Sequence, residues 1–407
     1  MLKYIIILLL VGISIWRYNS SINKRRNPQF LLLSTLIQLV PLAGIILKLG
    51  GIKTNYGILP GATDTFYAID ALWLIIIFLI LFHPPKAIMP HINNTSSSHH
   101  AFYVLALLEI ISLINPINEL HYSGLPIFFR LLQLYILLKL ITKYLNSEQV
   151  LKGIYDGFKW AIGLQFILTT LFPVLHISLI NNLFNENISD WAFRRDMPSA
   201  LGTFMHPGAL ALFCCMAAIF FFSCFLNKYK PTDSKLRILM CLYIIFFTYS
   251  RTSYATIIGT LLFIYIIYRN RIEFKLKSLI LFCTSIILII AIFIFTPIFD
   301  LFFHSDIDIQ VENRTLHYLL ALGCFQESPL IGVGLNNHVN YIYNNLNLAE
   351  IGQHINNFFI TNPVHNSHLI ILAETGVIGF SLWCYYFISR IYSLSNIALN
   401  KQLLLIS

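Results

Sequence analysis

Apolar runs long enough to cross a bilayer recur along this 407-residue chain from its first residues to its last hundred, which leaves few folds open to it. A helix needs roughly 20 apolar residues to span the hydrocarbon core. In lipid a backbone must satisfy its own hydrogen bonds, and a helix does so within a single segment. Only 11% of the residues are charged and 57% are hydrophobic, against about 25% charged in soluble proteins. The chain therefore reads as all-α, a polytopic membrane helix bundle of about 11 spans, within a range of roughly 10–12.

The expected spans lie near 2–16, 29–49, 66–82, 101–117, 123–144, 153–180, 207–226, 237–250, 252–268, 278–297 and 366–389. The first run, Leu2 to Trp16, lacks a small-residue cleavage site and reads as a retained span. The stretch 396–406 is too short to assign, which leaves a twelfth span or an interfacial end open. Residues 1–407 form one transmembrane domain, with neither a soluble catalytic module nor an internal repeat.

Basic residues orient the bundle. With the N-terminus outside, most of the 27 Lys and Arg fall in cytoplasmic segments. Lys24-Arg25-Arg26, Lys228/Lys230/Lys235/Arg237 and Arg269/Arg271/Lys275/Lys277 are the anchors. Positive-inside bias and contact with anionic membrane lipid account for the +9 net charge without any nucleic-acid partner. Six of the seven cysteines lie in expected spans, leaving Cys324 without a partner for an external disulfide. No spacing suggests a metal site.

Two external connections stand out. One, about 181–206, holds Arg194-Arg195 and the string Leu201 to Pro207. The other, 298–365, is much the longest, and loops of that length are uncommon unless functional. Within it, Arg314 to Gln326 has leucines and aromatics at helical spacing, which predicts an amphipathic helix along the membrane surface. Pro329, Gly332 and Gly334 end that helix.

His365-Asn366 sits where this loop re-enters the membrane. A histidine at a water boundary suits base chemistry near neutral pH. On an ideal helix Gly376 and Gly379, eleven and fourteen positions later, return to its face and admit a neighbouring helix. Arg251 occupies a hairpin between two spans, Ser250-Arg251-Thr252-Ser253. Guanidinium forks match phosphate oxygens, so Arg194, Arg195, Arg251 and Arg314 together suit a pyrophosphate leaving group.

These residues carry a resemblance. The chain resembles the O-antigen ligase and polymerase superfamily, membrane glycosyltransferases that use undecaprenyl-diphosphate-linked glycans. The family's His-[Asn/Ser/Gln]-x9-Gly-x2-[Gly/Thr/Tyr] matches His365, Asn366, Gly376 and Gly379. Its Arg, aromatic and Pro-Leu-x-Gly-x-Gly match Arg314, Tyr318 (usually Trp there) and Pro329 to Gly334. Ser250-Arg251 resembles its Ser-Arg hairpin, and Gly202-Thr203-Phe204 with Pro207 resembles its Gly-x-Phe-x-x-Pro element, with Arg195 or Arg194 as the upstream arginine. The likeness runs over 194–389.

The resemblance implies that His365 is the catalytic base, with Arg251, Arg314, Arg195 and Arg194 on the pyrophosphate. Asn366, Tyr318, Gly376 and Gly379 support them. It implies a lipid-linked oligosaccharide donor, no nucleotide or metal cofactor, and a site on the extracytoplasmic face of a bacterial inner membrane. Chain-length regulators and flippases are implied partners. A polymerase of repeat units is the first reading and a ligase to lipid A core or protein the second. A flippase of lipid-linked sugars is the alternative of another class.

Blander readings compete at each position. His365 alone would be an ordinary boundary histidine, Arg251 an interfacial anchor, and Arg314 a solvated residue on an amphipathic helix. Adjacent loop arginines such as Arg194-Arg195 are often merely solvated. Gly376 and Gly379 read as packing residues. Glu374 falls on about the opposite helix face from His365 and is expected to pair with another helix, outside the site. Glu109 and Arg130 are intramembrane charges that could partner each other. Asp306-Ile307-Asp308 resembles a nucleotide-sugar metal motif, but three loop residues match by chance too often to weigh.

Overall fold

The computed structural model describes residues 29–40, 48–50, 66–67, 96–117, 124–145, 147–175, 193–194, 197–204, 206–268, 307–345, 364 and 366–399, with isolated positions at 12 and 16. All but positions 12 and 16 of the expected span 2–16, all of 278–297 with Cys283, and nearly all of 66–82 lie outside these residues.

Ten helices are described. They are α1 (Gln29–Leu39), α2 (Ser96–Ile114), α3 (Leu125–Tyr144), α4 (Ser147–Thr169), α5 (Pro207–Leu226), α6 (Pro231–Phe247), α7 (Arg251–Tyr268), α8 (Ile307–Glu327), α9 (His338–Asn345) and α10 (Ser367–Leu399). Two short antiparallel pairs accompany them. Strand β1 (Lys48–Gly50) pairs with β2 (Phe66–Tyr67), and β3 (Phe193–Arg194) with β4 (Met197–Pro198).

Helices α3, α5 and α7 fall within two residues of the expected runs at 123–144, 207–226 and 252–268. Others start earlier than hydropathy suggests. Helix α2 takes in the polar run Ser96–His100, read from sequence as loop, and α6 begins at Pro231 rather than near 237. Proline at a first helical position forfeits only an N–H that would be unpaired anyway. Within the run at 29–49, Gln29–Leu39 is helix and Lys48–Gly50 is strand. Pro173 lies in a wide π-turn, Thr170–Val174, that closes α4. Two described helices, Pro207–Leu226 and Ser367–Ser389, are long and apolar enough to cross a membrane.

The chain divides into two compact units, one of 1–45 with 148–307 and one of 46–147 with 308–407. In the first, α5 and α6 pack along one another, around a core of Tyr155, Ile162, Leu210, Phe221, Ile244 and Ile245. Tyr155 is fully buried, and its hydroxyl lies 3.0 Å from Asp233 Oδ2 and 3.2 Å from Ser234 Oγ. Lys159 and Arg237 also reach Asp233, at 3.1 and 3.3 Å. Lys230 reaches Asp156 at 3.7 Å and lies over the Tyr155 ring. Part of the basic cluster expected as a membrane anchor is thus neutralised within the fold.

The second unit has its core between α8, the loop after it, α9 and the start of α10: Leu320, Ala321, Cys324, Val333, Ile342, Val364 and Ala373. A helix covers the 314–326 stretch and is longer than expected, beginning at Ile307 and taking in Asp308. Its inner stripe is His317, Leu320, Ala321 and Cys324, while Leu319 and Leu322 stay exposed.

Candidate functional site

Asn366 lies immediately ahead of α10. Its Oδ1 accepts from the backbone N–H groups of His368 (3.0 Å) and Leu369 (3.3 Å), and its carbonyl accepts from Ile370 N at 3.0 Å. This is an N-cap, satisfying donors that the first helical turn leaves free. His365 itself lies outside the described residues.

Helix α10 is not continuous. Gly376 has φ 61° and ψ −166°, a conformation open to essentially no other residue. The rings of His368 and Trp383 come within 4.8 Å, although an unbroken helix would separate residues so spaced by roughly 22 Å along its axis. The chain therefore turns a sharp corner, with a short leg 367–375 before it and a long leg 377–399 after it. The ideal-helix phase expected for the glycines does not survive this break.

The Pro329–Gly334 loop fills the break. Val333 N and Gly334 N donate to the carbonyls of Ala373 (2.9 Å) and Glu374 (3.0 Å). On the far side, Val377 N and Ile378 N donate to Pro329 O (2.8 Å) and Leu330 O (3.2 Å). The carbonyls left over by one leg and the amides left over by the other are both satisfied by one loop. A side-chain carbon on Gly376 would collide with the Leu330 carbonyl, and one on Gly332 (φ 70°) with the backbone of Glu374 and Thr375. A loop, not the expected helix, thus approaches Gly376. Gly379 does meet a helix, with Leu108 of α2 at 3.1 Å from where its side chain would begin.

Helix α2 holds the same loop from another side. Asn115 Nδ2 donates to Gly332 O at 2.7 Å, and Ser112 Oγ accepts from Leu335 N at 2.8 Å. Glu374, expected to pair with another helix, does so: its Oε1 lies 2.5 Å from Nδ1 of His338, the first residue of α9. Sequence reasoning missed His338, as it missed Ser112 and Asn115. Both oxygens of buried Glu109 lack a hydrogen-bond partner among the described residues, so the expected pairing with Arg130 is not made through them.

Arg314 is exposed on α8, and Tyr318, one turn on, is half-buried against the second unit's core. Burial on the same helix pushes the Cys324 thiol up to about 12, which leaves it protonated and inert near neutral pH.

The remaining expected residues belong to the first unit. Arg251 is the first residue of α7, behind a Thr248–Ser250 turn in which Tyr249 has φ 50°. Ser250 O accepts from Ser253 N and Tyr254 N, each at 3.1 Å, so the turn lies at Thr248–Ser250 and Arg251 to Ser253, expected within the hairpin, already form the first turn of α7. Arg194 lies in β3, and Arg195 is outside the described residues. The Gly202-Thr203 element is locked by a residue that sequence reasoning passed over. Buried Gln165 of α4 accepts from Thr203 N at 3.0 Å and donates to Thr203 Oγ1 at 2.9 Å. Gly202, at φ 56°, leaves room for that amide.

Residues 236–384 match the family model described as O-antigen ligase, which supports the resemblance to the O-antigen ligase/polymerase superfamily over that stretch. The match takes in Arg251, Arg314, Tyr318, the Pro329–Gly334 loop, His365, Asn366, Gly376 and Gly379. It stops short of Arg194, Arg195 and the Gly202 element. No curated protein matches the chain.

Proposed function

We propose that this protein transfers a glycan from undecaprenyl diphosphate to a sugar hydroxyl on the extracytoplasmic face of a bacterial inner membrane, as a polymerase of lipid-linked repeat units. The family match across the arginine, glycine-loop and histidine motifs carries this reading. In the proposed step the acceptor hydroxyl oxygen bonds to the donor's anomeric carbon and the carbon–oxygen bond to phosphate breaks. Undecaprenyl diphosphate leaves with the electron pair, and the hydroxyl proton passes to His365, inverting the centre. General-base help of this kind typically contributes about 10²–10⁴-fold. Arg251 and Arg314, with Arg195 or Arg194, offset the charge that grows on the departing diphosphate, so no divalent metal is required.

About 11 spans carry the site. The long leg of α10 rises about 34 Å at 1.5 Å per residue, enough to cross alone, whereas the short leg rises only about 13 Å. The crossing expected at 366–389 is accordingly assigned to 377–399, with the loop 298–365 and the short leg on the outer side. Chain-length regulators and flippases are the proposed partners.

A second reading, a ligase that delivers the glycan to lipid A core, is supported by the description of the matched family as O-antigen ligase. The surface glycan of a deletion strain separates the two. Core bearing a single repeat marks a lost polymerase; long chains held on the carrier lipid mark a lost ligase. The corner in α10 also invites comparison with transporters, whose sites use broken helices. Purified protein in detergent micelles decides that case, because a flippase leaves the glycosidic bond intact. Turnover that is lost in chelator and restored only by metal would remove the metal-free mechanism.

A further inference from the structure

Four backbone hydrogen bonds and two glycines already close the corner of α10, yet a buried ionisable pair is built beside it. His338 and Glu374 are 4% and 6% exposed, and Nδ1 and Oε1 are 2.5 Å apart. With Glu374 ionised the imidazole donates. The other ring nitrogen, Nε2, is buried and has no hydrogen-bond partner among the described residues. Burying such a pair adds little net stability, because desolvation offsets the attraction. What it supplies is direction.

Glu374 is next to last in the short leg, and Asn366 caps that leg's other end. Hydrogen bonds to carbonyl oxygens fix how far the leg extends toward the loop. They constrain its rotation about its own axis only weakly, since a carbonyl accepts over a broad range of angles. A side-chain bond at one azimuth sets that rotation. His338 is itself held firmly. Its neighbour Asn337 donates to Val333 O at 2.8 Å, and its own carbonyl accepts from Cys324 Sγ of α8 at 4.0 Å. Glu374 is therefore tied to the same loop and helix that carry Arg314.

We infer that His338 is a positioning residue for the transfer reaction, acting through Glu374 to set the rotation of the 367–375 leg and so the aim of the residues at its start. This rests on the transferase reading above. A misplacement on the order of 1 Å can cost about 10²-fold in rate, so the consequence belongs to kcat and not to donor binding.

The experiment compares His338→Phe, which keeps the ring's shape without a donor, with His338→Asn, whose amide nitrogen falls near the Nδ1 position. Purified full-length protein in micelles is assayed with lipid-linked oligosaccharide, and hydrogen exchange is read on a peptide covering 366–375. His338→Phe is expected to lower kcat by roughly 10–100-fold with KM little changed, and to speed exchange in that peptide, while His338→Asn recovers most of both. Glu374→Gln replaces His338→Phe if the latter fails to fold. Native-like turnover in His338→Phe overturns the inference, as does equal loss in both variants tracking loss of thermal stability. If native protein turns over no donor, the transferase reading falls. The exchange arm then decides alone, and unchanged exchange at 366–375 sinks the positioning role.

Discussion

Gly332 and Gly376 are wedged into one another's chain segments, each at positive φ and each with backbone where a side chain would begin. Between them they let a loop replace the missing turn of a helix. Gly376→Ala meets two penalties together, a backbone region reserved for glycine, worth about 1–3 kcal/mol, and a collision with the Leu330 carbonyl. The variant should lose apparent Tm sharply in detergent and lose turnover with it. Gly259→Ala is the control, since a side chain at Gly259 of α7 meets nothing within 4 Å. There alanine should gain up to about 1 kcal/mol from helix propensity. Equal Tm values for the two variants would contradict the corner.

Gln165 makes a similar claim on the first unit. Its amide gives Thr203 both an acceptor and a donor in a fully buried setting. Gln165→Leu should cost about 1–3 kcal/mol by leaving Thr203 N–H unpaired. Gln165→Glu keeps the acceptor for that N–H and should cost less if it is protonated. Thermal unfolding monitored by tryptophan fluorescence orders the variants, and a Gln165→Leu protein as stable as native would contradict this account.

How much of this was readable beforehand depends on whether the signal is local. A turn next to Ser250-Arg251 and a helix over 314–326 follow from hydropathy and turn chemistry over a few residues, and both are present, the turn at Thr248–Ser250. Gly376 was singled out correctly but for the wrong reason. Helix phase carries information only while the helix continues, and a glycine is the residue at which it can stop. Hydropathy also misjudged where α2 and α6 begin, because polar first turns look like loop until they are known to be helical. His338 with Glu374, and Gln165 with Thr203, join residues far apart in sequence, and no local pattern announces such pairs. Asn366 is different: an asparagine ahead of an apolar run is an N-cap signal, and that signal is local.

Asp233 gives a prediction in pH. It lies ahead of the apolar run that begins near 237 and gathers Tyr155, Lys159 and Arg237. Burial works against its charged form, but the Lys159 ammonium, the Tyr155 hydroxyl and Arg237 outweigh this and hold the carboxyl below its ordinary value. A group whose folded pKa is depressed stabilises above its unfolded pKa, near 3.9, and loses that contribution as pH falls through the folded value. The stability gap between native and Asp233→Asn protein should thus be constant from neutral pH down to about 5 and narrow below about 4. A gap that widened on acidification would contradict the sign.

The arginines separate by whether geometry or charge is needed. A guanidinium that grips diphosphate with two parallel hydrogen bonds is not replaced by an ammonium. Arg251→Lys and Arg314→Lys should both lose turnover, by a factor nearer that of Ala than of native, with Tm unchanged for exposed Arg314. Full turnover in Arg314→Lys would reduce that residue to a solvated surface charge.

Asn366 can be tested apart from its neighbour because a cap needs only a short side-chain acceptor. Serine supplies one, and replacing a capping residue by one that cannot cap costs about 1 kcal/mol. Asn366→Ser should keep both Tm and turnover close to native, since Oδ1 serves His368 and Leu369 N–H and an Oγ can take its place. Asn366→Leu should lose the cap, loosen the first turn of α10 in hydrogen exchange, and lose turnover in proportion. If Asn366→Ser kept stability but lost turnover, the amide nitrogen would be acting on substrate or on His365, and capping would be the smaller part of what Asn366 does.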